Sequence, residues 1–197
     1  PISVSTNSQI DVTIFGAMPN FNLGVDNSIA ANKALAVKNN IVFPEGNFIV
    51  HRPILTDKAF PIIGGAGGES TLITVEDANW QGVTFNGKTY NAAIVVTSGV
   101  QGSWIEGATL EDFSLLGNSY TADGKIGIDF DNVCLKVNVK NVNISAFDKG
   151  IHTFKSWVHS YNNVTVTDCI TNSMHFDTFA NGYSLTGVCL YGRSVKT

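Results

Sequence analysis

A chain of 197 residues, 44% hydrophobic and 14% charged, can bury one sizeable core, and 19 Gly beside 20 Asn point to short strands joined by turns. A net charge of −4 without any Lys/Arg cluster argues against nucleic acid, because phosphate binding needs concentrated positive charge. No stretch approaches the about 18 apolar residues of a membrane span, so no membrane insertion is expected, and no secretion signal is visible.

In chain order, "QIDVTIFGAMPN" reads as a β-like run (Ile10, Val12, Ile14) ending in a Gly-Ala turn. A helix is predicted over 26–39, capped by Asp26, with Ile29, Ala30, Ala34 and Leu35 as its apolar stripe and Asn39-Asn40 at its end. "IVFPEGNFIV" gives two short strands around a Pro-Glu-Gly turn, and "PIIGGAGGESTLITV" a glycine bend leading into another strand. The "GGAGG" stretch is not a phosphate loop, since "ESTLITV" after it reads as a strand and no Gly-Lys-Ser/Thr is present. Cys134, Cys169 and Cys189 have neither zinc-ligand spacing nor an even count for disulfides, so they are read as packing residues.

From residue 109 the sequence repeats. "EDFSL", "KNVNI", "NNVTV" and "TGVCL" place Phe113, Val142, Val164 and Val188 at spacings of 29, 22 and 24. Between them run "IDFD", "IHTF" and "MHFD", whose first residues Ile128, Ile151 and Met174 are 23 apart both times. Two interleaved strand patterns sharing one period indicate a solenoid whose coils each contribute more than one strand. Asp112, Asn141 and Asn163, each just before the central apolar residue, form one predicted bend ladder. The longer interval holds "GNSYTADGKIG", read as a loop inserted into one coil.

"VTIFGA", the capped helix with "AANKAL", "IVFPEGNFIV", "GGAGGESTLI" and "EDFSLLGN", in that order, resemble the pectate-lyase-like superfamily. In particular they resemble the right-handed parallel β-helix of bacteriophage tailspikes and capsule depolymerases. One departure is "MPNFNLGVDN", which keeps only Asp26 of the family's acidic turn. The resemblance implies an all-β, right-handed parallel β-helix with a short N-terminal capping α-helix. It divides the chain into a lead-in (1–25), the capping helix and first coils (26–108), and regular coils (109–197). It further implies a homotrimeric spike on the virion tail that binds and cleaves a bacterial surface polysaccharide, by hydrolysis or β-elimination, with no cofactor. "LYGRSVKT" stops right after a strand, so a fragment of a longer spike is expected.

Strand alternation on the 23-residue register turns Ile128, Phe130, Ile151, Thr153, Met174 and Phe176 inward. Asp129, His152 and His175 then form one outward row, and Asp131, Phe154 and Asp177 the next. Stacking places His152 about 5 Å from His175, and Asp131 about 9.6 Å from Asp177, with the Phe154 ring between the carboxyls. Asp131 and Asp177 are therefore the candidate catalytic pair, at the edge of the about 6.5–9.5 Å spread of inverting glycosidases. Asp129, His152, Phe154 and His175 are the candidate sugar-binding residues, an aromatic face and hydrogen-bonding groups being what a pyranose takes. Any strand with one solvated face also shows alternating polar residues, and a one-residue register slip would exchange inside and outside. Lys155 and Arg193 can act as bases in a lyase, and Trp80, Tyr90, Trp104 and Trp157 can line a groove or pack inside. No metal site is assigned, because Asp129, Asp131 and Asp177 do not assemble into a convincing carboxylate cluster. The remaining alternative is a glycan-binding or structural β-helix segment that does not cleave.

Overall fold

The structure, a computed structural model, describes residues 8–19, 25–100, 103–118, 123–177 and 181–192. Every strand pairing is parallel except one hairpin, Val83–Phe85 with Lys88–Tyr90. The chain winds as a right-handed parallel β-helix, the hand that parallel crossovers take. A five-stranded front sheet stacks Ile54–Thr56, Ala92–Thr97, Ile126–Asp131, Lys149–Phe154 and Asn172–Phe176. A ten-stranded back sheet carries the long bent strands Ile105–Leu116, Val133–Ser145 and Trp157–Cys169.

The register expected from the 23-residue period is the one observed. Ile128 pairs with Ile151 and Ile151 with Met174, while Phe113 pairs with Val142 and Val142 with Val164. Inside, Ile54, Ile94, Ile128 and Ile151 stack without solvent exposure, as do Phe113, Val142 and Val164 on the back sheet. One expectation fails at the end of the stack. Phe176 is 40% exposed, because among the described residues no coil lies over it.

The bend ladder explains how a long back strand turns its corner without losing its pairing. Asp112, Asn141 and Asn163 take φ of 62°, 52° and 54°, a left-handed conformation that Asn tolerates better than most residues. Their side chains join hands along the stack, Asn163 Nδ2 donating to Asn141 Oδ1 at 2.9 Å and Asn141 Nδ2 to Asp112 Oδ1 at 2.8 Å. Gly187, at φ 60°, occupies the next rung, and a Cβ there would meet only ordinary contacts at 3.6 Å. Relative to Gly187→Ala, which bears the same left-handed backbone, Gly187→Asn is expected to extend the ladder by one hydrogen bond and stabilise by about 0.5–1.5 kcal/mol. A urea midpoint above that of the alanine variant checks this; an equal or lower midpoint would show that the side-chain ladder contributes nothing. Gly65 has a different reason, since a Cβ there would lie 2.3 Å from the Asp112 carbonyl of the adjoining coil.

At the N-terminal end the helix spans Asn27–Val37, slightly shorter than predicted. Ala30, Ala34 and Leu35 are buried with Ala31, but Ile29 is 42% exposed, so the buried stripe is turned away from it. Lys58 ends the helix, its ammonium donating to the carbonyls of Leu35 and Ala36 at 2.6 and 2.8 Å. Asp26 does more than cap, accepting from Ser28, the His51 amide and Arg52 Nε. Burial alone would raise its pKa, but these donors outweigh burial and hold it below the ordinary carboxylate value. The predicted β run before the helix is only Ile10–Asp11. Val12–Phe15 is a 3₁₀ turn that buries Val12 and leaves Ile14 76% exposed, because Asp11 caps the turn through the Thr13 amide.

At the other end the interior turns aromatic. His159 is buried between Phe130, Tyr161 and Tyr183, with ring centroids 5.0, 5.9 and 5.1 Å away, and its Nδ1 lies 3.0 Å from the Tyr161 hydroxyl. Burial pushes its pKa from 6.5 down to about 4. The unfolded chain binds a proton that the folded one refuses, so stability is complete above pH 6.5 and is lost as pH falls towards 4. The loss amounts to about 3 kcal/mol. His159→Asn is expected to flatten this acid limb in a pH series of denaturant melts; a limb of unchanged slope would contradict the assignment.

Candidate functional site

The outward rows of the front sheet lie where the register predicts, but hydrogen bonding sorts their members. Leu55, Val95, Asp129, His152 and His175 form one continuous outward row. Its first two members are covered by a segment between Val75 and Ala92 to which the sequence pattern assigns no element. That segment forms a 3₁₀ turn at Asp77–Asn79 and the hairpin Val83–Tyr90, and Val83, Phe85 and Tyr90 pack with Leu55, Val95 and Ile126 as a small outer core. Lys125 fastens the turn through Asp77 at 3.1 Å and through Asp123.

Asp131 is where the hairpin is tied down. Its Oδ2 accepts from Tyr90 Oη at 2.6 Å, Lys88 Nζ at 2.8 Å and Thr97 Oγ1 at 3.4 Å, and its Oδ1 accepts from Asn132 Nδ2 at 2.8 Å. The residue is 2% exposed. Burial, then the bond to Asp131, pushes the Tyr90 phenol far above its ordinary pKa, so it remains a donor. The carboxyl expected from the sequence to face a sugar together with Asp177 is therefore buried at Asp131 and already accepts from four donors. Asp129 is likewise covered, being 4% exposed, with its carboxylate turned along the outward row to His152.

What the face presents instead is a histidine held by a buried carboxylate. His152 Nδ1 lies 2.8 Å from Asp129 Oδ1, and its Nε2 lies 3.9 Å from Asp177 Oδ2. The His152 and His175 rings meet edge-to-face at 5.4 Å, close to the expected rung spacing. His175 is held below its ordinary pKa, by burial first and then by Lys149 and His152, so it is neutral at neutral pH. Asp177, in the neighbouring row with Phe154, has its amide bonded to the Thr153 carbonyl at 2.9 Å and its side chain 44% exposed. A neutral imidazole whose Nδ1 proton is held by a carboxylate carries its lone pair on Nε2, where it can take a proton from a ligand.

Beside this row lies an open cleft of about 300 Å³ between the hairpin tip and the sheet edge, lined in part by Lys88, Asp131, Phe154 and Lys155. The ring of Phe154 is partly exposed, as a sugar platform requires, and carries Lys88 Nζ at 5.3 Å and Lys155 Nζ at 5.2 Å. Of the other aromatic candidates, Trp80 donates to Asn91 at 2.6 Å, Tyr90 is buried, and Trp104 and Trp157 pack edge-to-face at 5.6 Å with Trp104 49% exposed. Arg193 lies outside the described residues. The hairpin has a sequence signal, since Asn86-Gly87 between β-like residues is the usual sign of a two-residue turn, and both take positive φ (47° and 80°). Cys169 is buried as expected, whereas Cys189 is exposed in the final coil.

No family model matches the sequence, and no curated protein matches it. Solved structures do. The catalytic unit of a GH87 alpha-1,3-glucanase from Streptomyces thermodiastaticus aligns with a TM-score of 0.67 at 17% identity, over 93% of this chain and 31% of that one. PfbA, a surface adhesin of Streptococcus pneumoniae, aligns with a TM-score of 0.66 at 13% identity, over 92% and 48%. The gp42 tailspike of an Acinetobacter phage aligns with a TM-score of 0.62 at 18% identity, over 96% and 36%. The chain thus spans about a third to a half of the length of these neighbours. At such identities the likeness is one of fold, and the fold is the right-handed parallel β-helix, shared with phage tailspike, glucanase and adhesin structures.

Proposed function

We propose that the front-sheet face binds and cleaves a bacterial surface polysaccharide, as part of a homotrimeric tailspike on the virion tail that acts extracellularly at the host cell surface. The observation that carries this reading is the Asp129–His152 pair, a buried carboxylate orienting an imidazole on a face that also offers Asp177 and the ring of Phe154. In it, Asp129 fixes the ring, His152 Nε2 takes a proton from water or from the carbon beside a sugar carboxyl, and Asp177 serves as the second acid–base group. Phe154 supports a sugar ring. Asp131 holds the hairpin that forms one wall. The tailspike and glucanase neighbours support a glycan-active reading of the fold.

Incubation with purified capsular and O-antigen polysaccharides, followed by size-exclusion analysis, tests this. Shortened glycan is expected; new reducing ends without the ultraviolet absorbance of an unsaturated uronate indicate hydrolysis, and that absorbance indicates elimination. One observation favours a second reading, a binding module without cleavage: the carboxyl expected to work opposite Asp177 is spent on the hairpin. Tight binding with no shortening would select that reading.

A further inference from the structure

The back strands turn a second corner, and its residues follow a different rule from the ladder of Asp112, Asn141 and Asn163. The pairing of Ile62 with Thr109, and of Ala108, Val137, His159 and Tyr183 in series, puts Phe60, Gly107, Lys136, Val158 and Gly182 on successive rungs. All five take left-handed backbone, with φ of 53°, 65°, 58°, 61° and 74°. Gly, Asn and Asp are the residues this conformation favours, and a bulky or β-branched residue there is an outlier. The third rung also bulges, with Leu135 as an extra residue beside Lys136, itself at φ 57°. None of these side chains fills the core: Phe60, Leu135 and Val158 are between 41% and 48% exposed. The Phe60 ring lies over Gly107, where a Cβ would come within 2.5 Å of it, and Val158 lies against Gly182. The two glycines thus make room for the apolar side chains to form one ridge along the stack. Trp104 and Trp157, in edge-to-face contact and the former 49% exposed, continue the ridge on the side of the front sheet. A corner that had only to bend would carry Asn or Gly on every rung, so Leu135 and Val158 are there for what their side chains meet outside the coil.

We infer that this ridge is where copies of the chain meet side by side, around an axis that runs along the stack. The inference rests on the homotrimeric reading above and adds the surface that makes the contact. Copies in such a cyclic assembly present like rungs at like heights, so a ridge crossing five rungs meets its own counterpart along its whole length. Charge selects the same occupant. Glu106 and Lys136 are both exposed beside the ridge, and neither makes an ion pair among the described residues. The Lys136 ammonium instead stands 6.0 Å from the Phe60 ring centroid. One acid and one base on the same strip complement a second copy, whereas a partner carrying a single sign of charge would be repelled by one of them. An apolar, aromatic centre with charges at its margin is also the composition of a protein interface.

Sedimentation equilibrium of the chain and of Leu135→Asn, Val158→Asn and the double variant tests this, with urea melts of each below the concentration at which the parent dissociates. The parent is expected to form trimers. Asn suits the left-handed backbone at both positions, so each variant is expected to keep a urea midpoint at or above that of the dissociated parent. Each is expected to associate about tenfold more weakly, and the double variant to be monomeric where the parent is trimeric. A double variant that associates as tightly as the parent would overturn this surface and leave the homotrimeric reading standing. A lower midpoint in the variants would show that Leu135 and Val158 serve the fold itself, and would overturn the inference as well. A parent chain that stays monomeric at every concentration would overturn both.

Discussion

Replacing His152 with alanine is expected to lower the rate of glycan cleavage about 10²- to 10⁴-fold, the contribution of a positioned general base. Affinity for the glycan is expected to change little, because in the proposed binding mode the sugar ring rests on Phe154 rather than on His152. The loss should therefore appear in kcat rather than KM, which a merely structural role would not produce. Asp129→Asn provides the companion measurement. It keeps a side chain of the same shape beside Nδ1 but replaces the charged carboxylate with a neutral amide, which no longer fixes the tautomer or stabilises a protonated ring, so kcat should fall while the melting curve stays near that of the parent. His175→Ala should be milder, since that ring packs against His152 without bonding to it. Cleavage at the parent rate by the His152 variant would remove the imidazole from the chemistry and leave Asp177 to be tested alone.

The second large effect is expected at Asp131. Asp131→Ala deprives the buried Tyr90 hydroxyl and the Lys88 ammonium of their shared acceptor, an effect of about 2–3 kcal/mol. Lys88 can turn to solvent; Tyr90 cannot without lifting the hairpin away from Leu55 and Val95. Limited proteolysis should then cut within 76–90, and glycan affinity should drop because the hairpin forms one wall of the cleft. Asp131→Asn, which keeps one acceptor oxygen, should show about half the loss of stability. The informative contrary result is loss of cleavage with the hairpin still protected and stability unchanged. That would mean Asp131 acts on the substrate itself, as the alternation pattern alone implies.

The legible part of the fold is its period. A spacing of 23 between Ile128, Ile151 and Met174 fixes a register in which a single slip would bury Asp129 and His152 in the core, so the pairing can be read from the chain alone. The bend ladder is legible for a similar reason, since Asn recurring at a constant offset marks a backbone need rather than a packing one. The site is legible only by row. Alternation says that Asp131 points outward; it does not say that a hairpin from 43 residues earlier in the chain will cover it and occupy its lone pairs. Long-range cover of this kind leaves no periodic trace, although Asn86-Gly87 does mark the turn. Ile14 and Ile29 escape the apolar pattern for a local reason. Asp11 caps a 3₁₀ turn that aims Ile14 at solvent, while Ile29 lies off the helix face that buries Ala30, Ala31, Ala34 and Leu35.

The central claim is that glycan lies on the front sheet, along His152, His175 and Asp177 and into the cleft beside Phe154. NMR chemical-shift mapping during titration with a fragment of the bound polysaccharide tests it most directly. The account predicts the largest perturbations at the His152 and His175 imidazoles, the Phe154 and Lys155 amides, and Asn86-Gly87 at the hairpin tip, with none on the back sheet around Asn138, Lys140 and Asn162. Perturbations confined to Trp104 and Trp157, or to that back-sheet surface, would contradict it.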